Sequence, residues 1–178
     1  MLFRSAWFAS DQLDILDYNR VVEGVKKIGS SKLMAHLSKI FDIEVLDNPR
    51  KPTEKHEIVL YLRKSWYALR WRSHVLKEAL SGAETLDTDL FNDLVINKIF
   101  GIIDVRTDTR INYVDGSKGL EGLQKVVAKK ENDRVGFAFF PVTFEDLMRM
   151  ADKGESLPPK STYFEPRLKS GLLVRLLS

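Results

Sequence analysis

Apolar residues recur along this chain at two spacings, one suited to strands and the other to helices. Residues 2–9 form an apolar run that reads as a strand, and Ile15-Leu-Asp-Tyr-Asn-Arg-Val-Val22 is a second extended run. Leu33, Met34, Leu37, Ile40 and Phe41 then share one helical stripe, which Ser30 or Ser31 can cap after Gly29. Residues 43–46 are a short strand, and Asn48-Pro49-Arg50-Lys51-Pro52 is a loop that both prolines hold out of regular structure.

Residues 57–62 and 66–72 predict a β-hairpin turning near Lys64-Ser65. Its second strand puts Tyr67, Leu69 and Trp71 on one face and Trp66, Ala68, Arg70 and Arg72 on the other. Residues 80–84 read as a loop. A second helix starts near Asp87 or Thr88, carries Leu90, Phe91, Leu94, Val95 and Ile99 inward, and ends at Gly101. A polar loop, residues 106–110, leads into a strand over residues 111–114. Ser117 can cap a third helix, with Leu120, Leu123, Val126 and Val127 facing the core.

Val135-Gly-Phe-Ala-Phe-Phe140 is apolar almost throughout, as expected of a strand covered on both faces. Thr143 and Asp146 match a capping box opening a fourth helix, which Gly154 closes. A last strand is expected over residues 172–177. These elements interleave, which predicts one α/β (α+β) domain over residues 1–178: a mixed β-sheet with about four helices packed on it.

Composition changes this picture little. The 178 residues hold 28 basic and 25 acidic side chains, a net charge of +3 too small to imply a nucleic-acid partner by itself. No apolar run is long enough to span a membrane, so a cytoplasmic location is expected. The absence of cysteine excludes disulfides, thiolate nucleophiles and Cys-based metal sites. Asp11, Asp14 and Asp17 recur every third residue, a spacing that scatters them over an extended segment, so they are assigned capping and surface roles and no metal. The chain begins inside an apolar run, which suggests a piece of a longer protein.

Three segments carry a family resemblance: Ile15-Leu-Asp-Tyr-Asn-Arg-Val-Val22, Phe100-Gly-Ile-Ile-Asp-Val-Arg-Thr-Asp-Thr-Arg-Ile111, and Pro158-Pro-Lys-Ser-Thr-Tyr-Phe-Glu-Pro-Arg-Leu-Lys-Ser-Gly171. Together they resemble the C-terminal half of the domain-of-unknown-function 1015 family, a widespread prokaryotic group. The Lys-Ser-Thr-Tyr-Phe stretch is the most specific of the three. Longer members carry an upstream Asp-Gly-His-His-Arg stretch, similar to one in ParB-like free-serine kinases, which implies nucleotide or phosphate chemistry for an intact protein. That stretch is absent here; His36, His56 and His74 stand singly. The resemblance therefore implies an accessory or substrate-positioning domain whose partner is the missing N-terminal half of the parent protein. The isolated chain is expected to fold without turnover, and neither catalytic residues nor a cofactor can be named.

The candidate ligand-binding residues are Tyr18, Arg20, Arg106, Arg110, Lys160, Ser161 and Thr162. Lys160-Ser161-Thr162 lacks the Gly-x-x-x-x-Gly of a P-loop, which leaves one ammonium and two hydroxyls in a Pro-bounded loop. Arg106 and Arg110 can hold a phosphate or carboxylate in bidentate fashion, or pair locally with Asp104 and Asp108. Arg20 lies among apolar neighbours and needs a partner if buried. All seven are expected to converge on one recess that takes an anionic small molecule. The alternative is an interaction or nucleic-acid module using Trp66, Arg70 and Arg72 as a stacking platform.

Overall fold

The segment Ile-Val-Leu-Tyr-Leu at 58–62 has no polar residue to offer water, and it occupies the middle of a sheet covered on both faces. It belongs to β4 (Glu57–Leu62), whose six residues are all buried. The computed structural model describes residues 8–79 and 86–167. Around β4 lie β2 (Tyr18–Glu23), β3 (Phe41–Leu46), β5 (Ser65–Trp71), β6 (Ile111–Asp115) and β7 (Arg134–Phe139), in the order β3-β5-β4-β7-β2-β6. Every pairing in this sheet is antiparallel. A separate two-stranded ribbon joins β1 (Asp14–Leu16) to β8 (Tyr163–Glu165).

Two residues connect β4 to β5. Arg63 and Lys64 both take positive φ, 48° and 65°, which suits the twist of a tight hairpin without the usual Asn-Gly. One face of the sheet carries Val22, Ile58, Leu60, Leu69, Trp71 and Phe137 against a layer of helices. These are α1 (Val25–Ile28), α2 (Ser30–Leu37), α3 (Ser73–Ala79) and α4 (Asp87–Phe91), the last continued by a wider π-type turn over Asn92–Asn97. The other face carries Val21, Val59, Tyr61, Trp66 and Ala138 against Leu123 and Val127 of α5 (Gly119–Ala128). At one end α6 (Phe144–Asp152) packs Met150 on Leu86 and Val142.

The contact between α5 and β7 is close at one point. A Cβ added to Gly136 would stand 2.9 Å from Leu123 Cγ and 3.0 Å from Val127 Cγ2. Gly136→Ala must therefore lift the helix from the sheet, at a cost of about 1–3 kcal/mol. A denaturant midpoint unchanged by this substitution would contradict the packing.

The α/β (α+β) architecture expected from the sequence is present, but the sheet expected to be mixed is antiparallel throughout its described pairings, and several local corrections follow. The run 15–22 is not one strand: Asp17 breaks it, and the two halves join different sheets. Asp17 is also 3% exposed rather than a surface residue, and its carbonyl accepts Gly116 N–H. No Ser30 or Ser31 side chain caps α2; Gly29 stands at that position with φ 88°. The helix stops at Leu37, so Phe41 packs from β3 instead. Ser117 does not cap α5 either, because it lies in a preceding 3-10 turn and bonds Asp115. The Thr143–Asp146 capping box is present as expected. The strands expected at 2–9 and 172–177 and the loop at 80–84 fall wholly or mostly outside the described residues.

The hairpin offers no stacking platform. Trp66 is buried against Tyr61, with ring centroids 4.6 Å apart. Arg70 is held by Glu44 and Glu57, and Arg72 by Asp42 and the carbonyls of Ser38 and Phe41. The side chains alternate as expected, but the second face is no open surface, because Trp66 packs in the cluster beneath α5.

Candidate functional site

Strand β2 places Tyr18 and Arg20 on one face, two residues apart. Arg20 is completely buried, with its guanidinium carbon 5.5 and 5.1 Å from the ring centroids of Phe91 and Phe139. Nη1 donates to Asn92 Oδ1 at 2.6 Å and to the Thr88 carbonyl at 3.4 Å, whereas Nε and Nη2 have no partner among the described residues. Burial lowers its pKa to about 10, against the pull of Tyr113 and Asp89.

Tyr18 is half-buried and gathers the segment after α6. Lys160 Nζ sits 5.3 Å above its ring, and the rings of Tyr163 and Tyr113 meet it edge-on at 5.6 and 6.5 Å. Ser161 is turned inward, donating to the Pro158 carbonyl at 2.8 Å, and Thr162 is half-buried beside it. Tyr113, which pairs with Arg20 across the sheet, donates its hydroxyl to the Val105 carbonyl at 3.4 Å. The loop bearing Arg106 therefore passes close to this group, with the Arg106 side chain exposed.

Arg110 belongs elsewhere. Its carbonyl accepts Glu23 N–H at 2.9 Å, five residues along β2 from Tyr18, so roughly 17 Å separate the two backbones. The guanidinium is fixed by Asp108 at 2.6 Å and by the Phe100 carbonyl at 3.0 Å. Its bonds to Asp108 raise the Arg110 pKa and lower that of the carboxylate. The seven candidates thus fall into two groups at opposite ends of β2 rather than one.

Arg110 lines a cleft of about 380 Å³, between α1, α2 and the end of the π-type turn. Lys27, Lys32, His36 and Lys98 line it as well, and no acidic residue does so among the described residues. All four are exposed, and none of the three lysines pairs with an acid among the described residues. Gly101, at φ 63°, turns the chain sharply beside Arg110. These lysines escaped sequence reasoning because α1 is only four residues long and Lys98 lies some 70 residues further on. A third polar cluster, around His56, was missed for a similar reason: its partner Asp87 is 31 residues away. Among the described residues, no group of three or more His, Asp or Glu side chains can hold a metal ion.

The class is set by the fold: an α+β domain built on a six-stranded antiparallel sheet, with helices on both faces. The sequence profile of a protein family of unknown function, DUF1015, matches residues 2–90, and the chain belongs to that family. No curated protein matches the chain. Among solved structures, a free serine kinase in complex with AMP is 20% identical, with a TM-score of 0.46, over 87% of this chain and 55% of that one. A conserved hypothetical protein from Pyrococcus furiosus is 16% identical, with a TM-score of 0.48, over 87% of this chain and 57% of that one. SbnI with a C-terminal truncation, from Staphylococcus aureus, is 12% identical, with a TM-score of 0.48, over 90% and 55%. The chain thus spans a little over half the length of these structures. No helix among the described residues is long and apolar enough to cross a membrane.

Proposed function

We propose that this chain is an accessory or substrate-positioning domain of a larger protein, and that it binds a phosphate-containing or carboxylate ligand in the lysine-lined cleft. The observation that supports this reading is the set of three lysines, without acidic partners among the described residues, around a cleft that a fixed guanidinium also lines. Like charges gathered this way repel one another, and a multiply charged anion relieves that repulsion. Arg110, pinned by Asp108 and Phe100, is pre-oriented to meet it, so little side-chain freedom is lost at that contact. A cleft of about 380 Å³ falls within the range that small-molecule ligands occupy.

Pyrophosphate at a hundred times its dissociation constant is expected to stabilise the protein by about 2.7 kcal/mol. The double substitution Lys27→Glu, Lys98→Glu should abolish this effect without lowering basal stability, since both side chains are exposed. Rising salt should weaken the effect, because the cleft is open to solvent. Thermal-shift measurements on wild type and double variant decide the matter. Equal shifts in the two proteins, or no shift in either, would discard the cleft.

Tyr18, Arg20, Arg106, Lys160, Ser161 and Thr162 enter the proposal as a second ligand position at the other end of β2. The two guanidinium nitrogens of Arg20 that lack partners among the described residues favour it.

A further inference from the structure

His56, in the approach to β4, is held in the left-handed backbone region at φ 70°, where a residue with a side chain sits only under constraint. Asp87, in the first turn of α4, supplies that constraint. Its Oδ2 accepts the His56 backbone N–H at 2.8 Å. Its Oδ1 lies 3.0 Å from His56 Nδ1 and also accepts Trp71 Nε1–H at 2.9 Å. With Nδ1 committed to Asp87, the imidazole has Nε2 left for any other partner. The ring is 39% exposed and lines a recess of about 130 Å³ between α4, α6 and the segment after β7.

The second carboxylate of the recess is also occupied. Asp146 Oδ2 accepts the N–H and Oγ–H of Thr143 at 3.2 and 2.8 Å. Its Oδ1 accepts Lys55 Nζ at 2.9 Å and Arg149 Nη2 at 2.7 Å. Both acids therefore direct their lone pairs at fixed protein donors. Lys55 keeps N–H groups beyond its bond to Asp146, since an ammonium has three. Thr88 adds an independent sign of a ligand. It is 5% exposed, it lines the recess, and its buried Oγ1 has no partner among the described residues. A buried hydroxyl of this kind calls for an acceptor, and none stands among the described residues.

We propose that this recess binds a short-chain carboxylic acid, its carboxylate accepting hydrogen bonds from His56 Nε2, Lys55 Nζ and Thr88 Oγ1, and its tail lying on Leu86, Phe140 and Val142. Size favours such a ligand over a nucleotide. At about 130 Å³ the recess has about a third of the volume of the lysine cleft and lies below the range that larger small-molecule ligands occupy. The site shares no lining residue with the lysine cleft.

Binding should strengthen as pH falls through the range where His56 takes up its second proton. That range lies above the ordinary one, because the bond to Asp87 raises the His56 pKa against burial. Among the described residues, the charged groups acting on the ring are Lys55 on its own turn, Asp87 on α4 and Asp146 on α6, the last bonded by Arg149.

The test follows the imidazole nitrogens of His56 by NMR in the full chain, titrated with butyrate and, separately, with inorganic phosphate. Butyrate is expected to move the Nε2 signal saturably, with a dissociation constant in the millimolar range, and to raise the pH at which His56 titrates. Lys55→Met should weaken binding about tenfold, as loss of a charge-assisted hydrogen bond implies. His56→Asn, which tolerates positive φ, should abolish the butyrate-induced stabilisation. The Lys27→Glu, Lys98→Glu variant should bind butyrate normally, so failure of the cleft and failure of this site are distinguishable. A wild-type His56 signal indifferent to butyrate, or moved equally by phosphate, would overturn the proposal. Binding unaffected by Lys55→Met would do the same.

Discussion

Glu57→Gln is expected to destabilise the protein at neutral pH by about 3 kcal/mol. The carboxylate opens β4 with its side chain fully shielded, and its two oxygens meet donors from three directions. Arg50 binds in bidentate fashion at 2.7 and 2.8 Å, Arg70 adds 2.9 Å, and Thr53 donates both its N–H at 2.7 Å and its hydroxyl at 2.9 Å. The Arg50 bonds, with those from Thr53, lower the Glu57 pKa to about 2 in spite of burial. A depression from 4.5 to about 2, at about 1.4 kcal/mol per unit, corresponds to roughly 3 kcal/mol.

The sign of the pH effect follows. A carboxylate whose pKa falls on folding stabilises the native state above its unfolded value and loses that contribution as it protonates. The gap between wild type and Glu57→Gln should therefore be full above pH 4.5 and close as pH drops towards about 2. Urea titrations of both proteins across that range measure it directly. A gap that stays constant down to the lowest pH would show that the carboxylate's charge is not what Arg50 and Thr53 stabilise.

Glu57 also marks the limit of what the sequence disclosed. The strand it opens was legible, because 58–62 is apolar throughout and β4 had to be central. The network was not, because Arg50 lies in a Pro-flanked loop and Arg70 on the next strand, and only the antiparallel register brings Glu57 opposite Arg70. Boundaries failed where a local signal was overridden by packing. Asp17 interrupts an apparently continuous strand so that β1 can pair with β8, about 150 residues away. The same holds at the candidate sites. Arg20 reads as a residue that needs a partner if buried, and Arg110 as one that holds an anion or pairs locally, yet period-2 spacing cannot say which end of a strand another loop will reach. The cleft lysines and His56 draw their meaning from neighbours on other elements, and no spacing along the chain encodes that proximity.

Arg20→Met should leave stability unchanged or raise it, by up to about 2 kcal/mol, whereas Arg20→Ala should lower it by about 3 kcal/mol or more. The guanidinium lies fully buried between Phe91 and Phe139, with no carboxylate in ion-pair contact among the described residues and with Nε and Nη2 unbonded. Desolvation therefore works against it, as its lowered pKa records. Methionine keeps the length and the contact with both rings. It removes the two orphaned donors and releases Asn92, which is half-exposed and can turn to water. The Thr88 carbonyl is no loss, since it also accepts the Asn92 backbone N–H. Alanine opens a cavity between strand and helix instead. Arg20→Lys should be worse than methionine, because an ammonium is more strongly hydrated and cannot lie flat between two rings. Denaturant midpoints with unchanged slopes would rank the three. If methionine proved as costly as alanine, the guanidinium would be a net stabiliser through its Asn92 bond and ring contacts. Its unpartnered nitrogens would then no longer favour an anion at that end of β2.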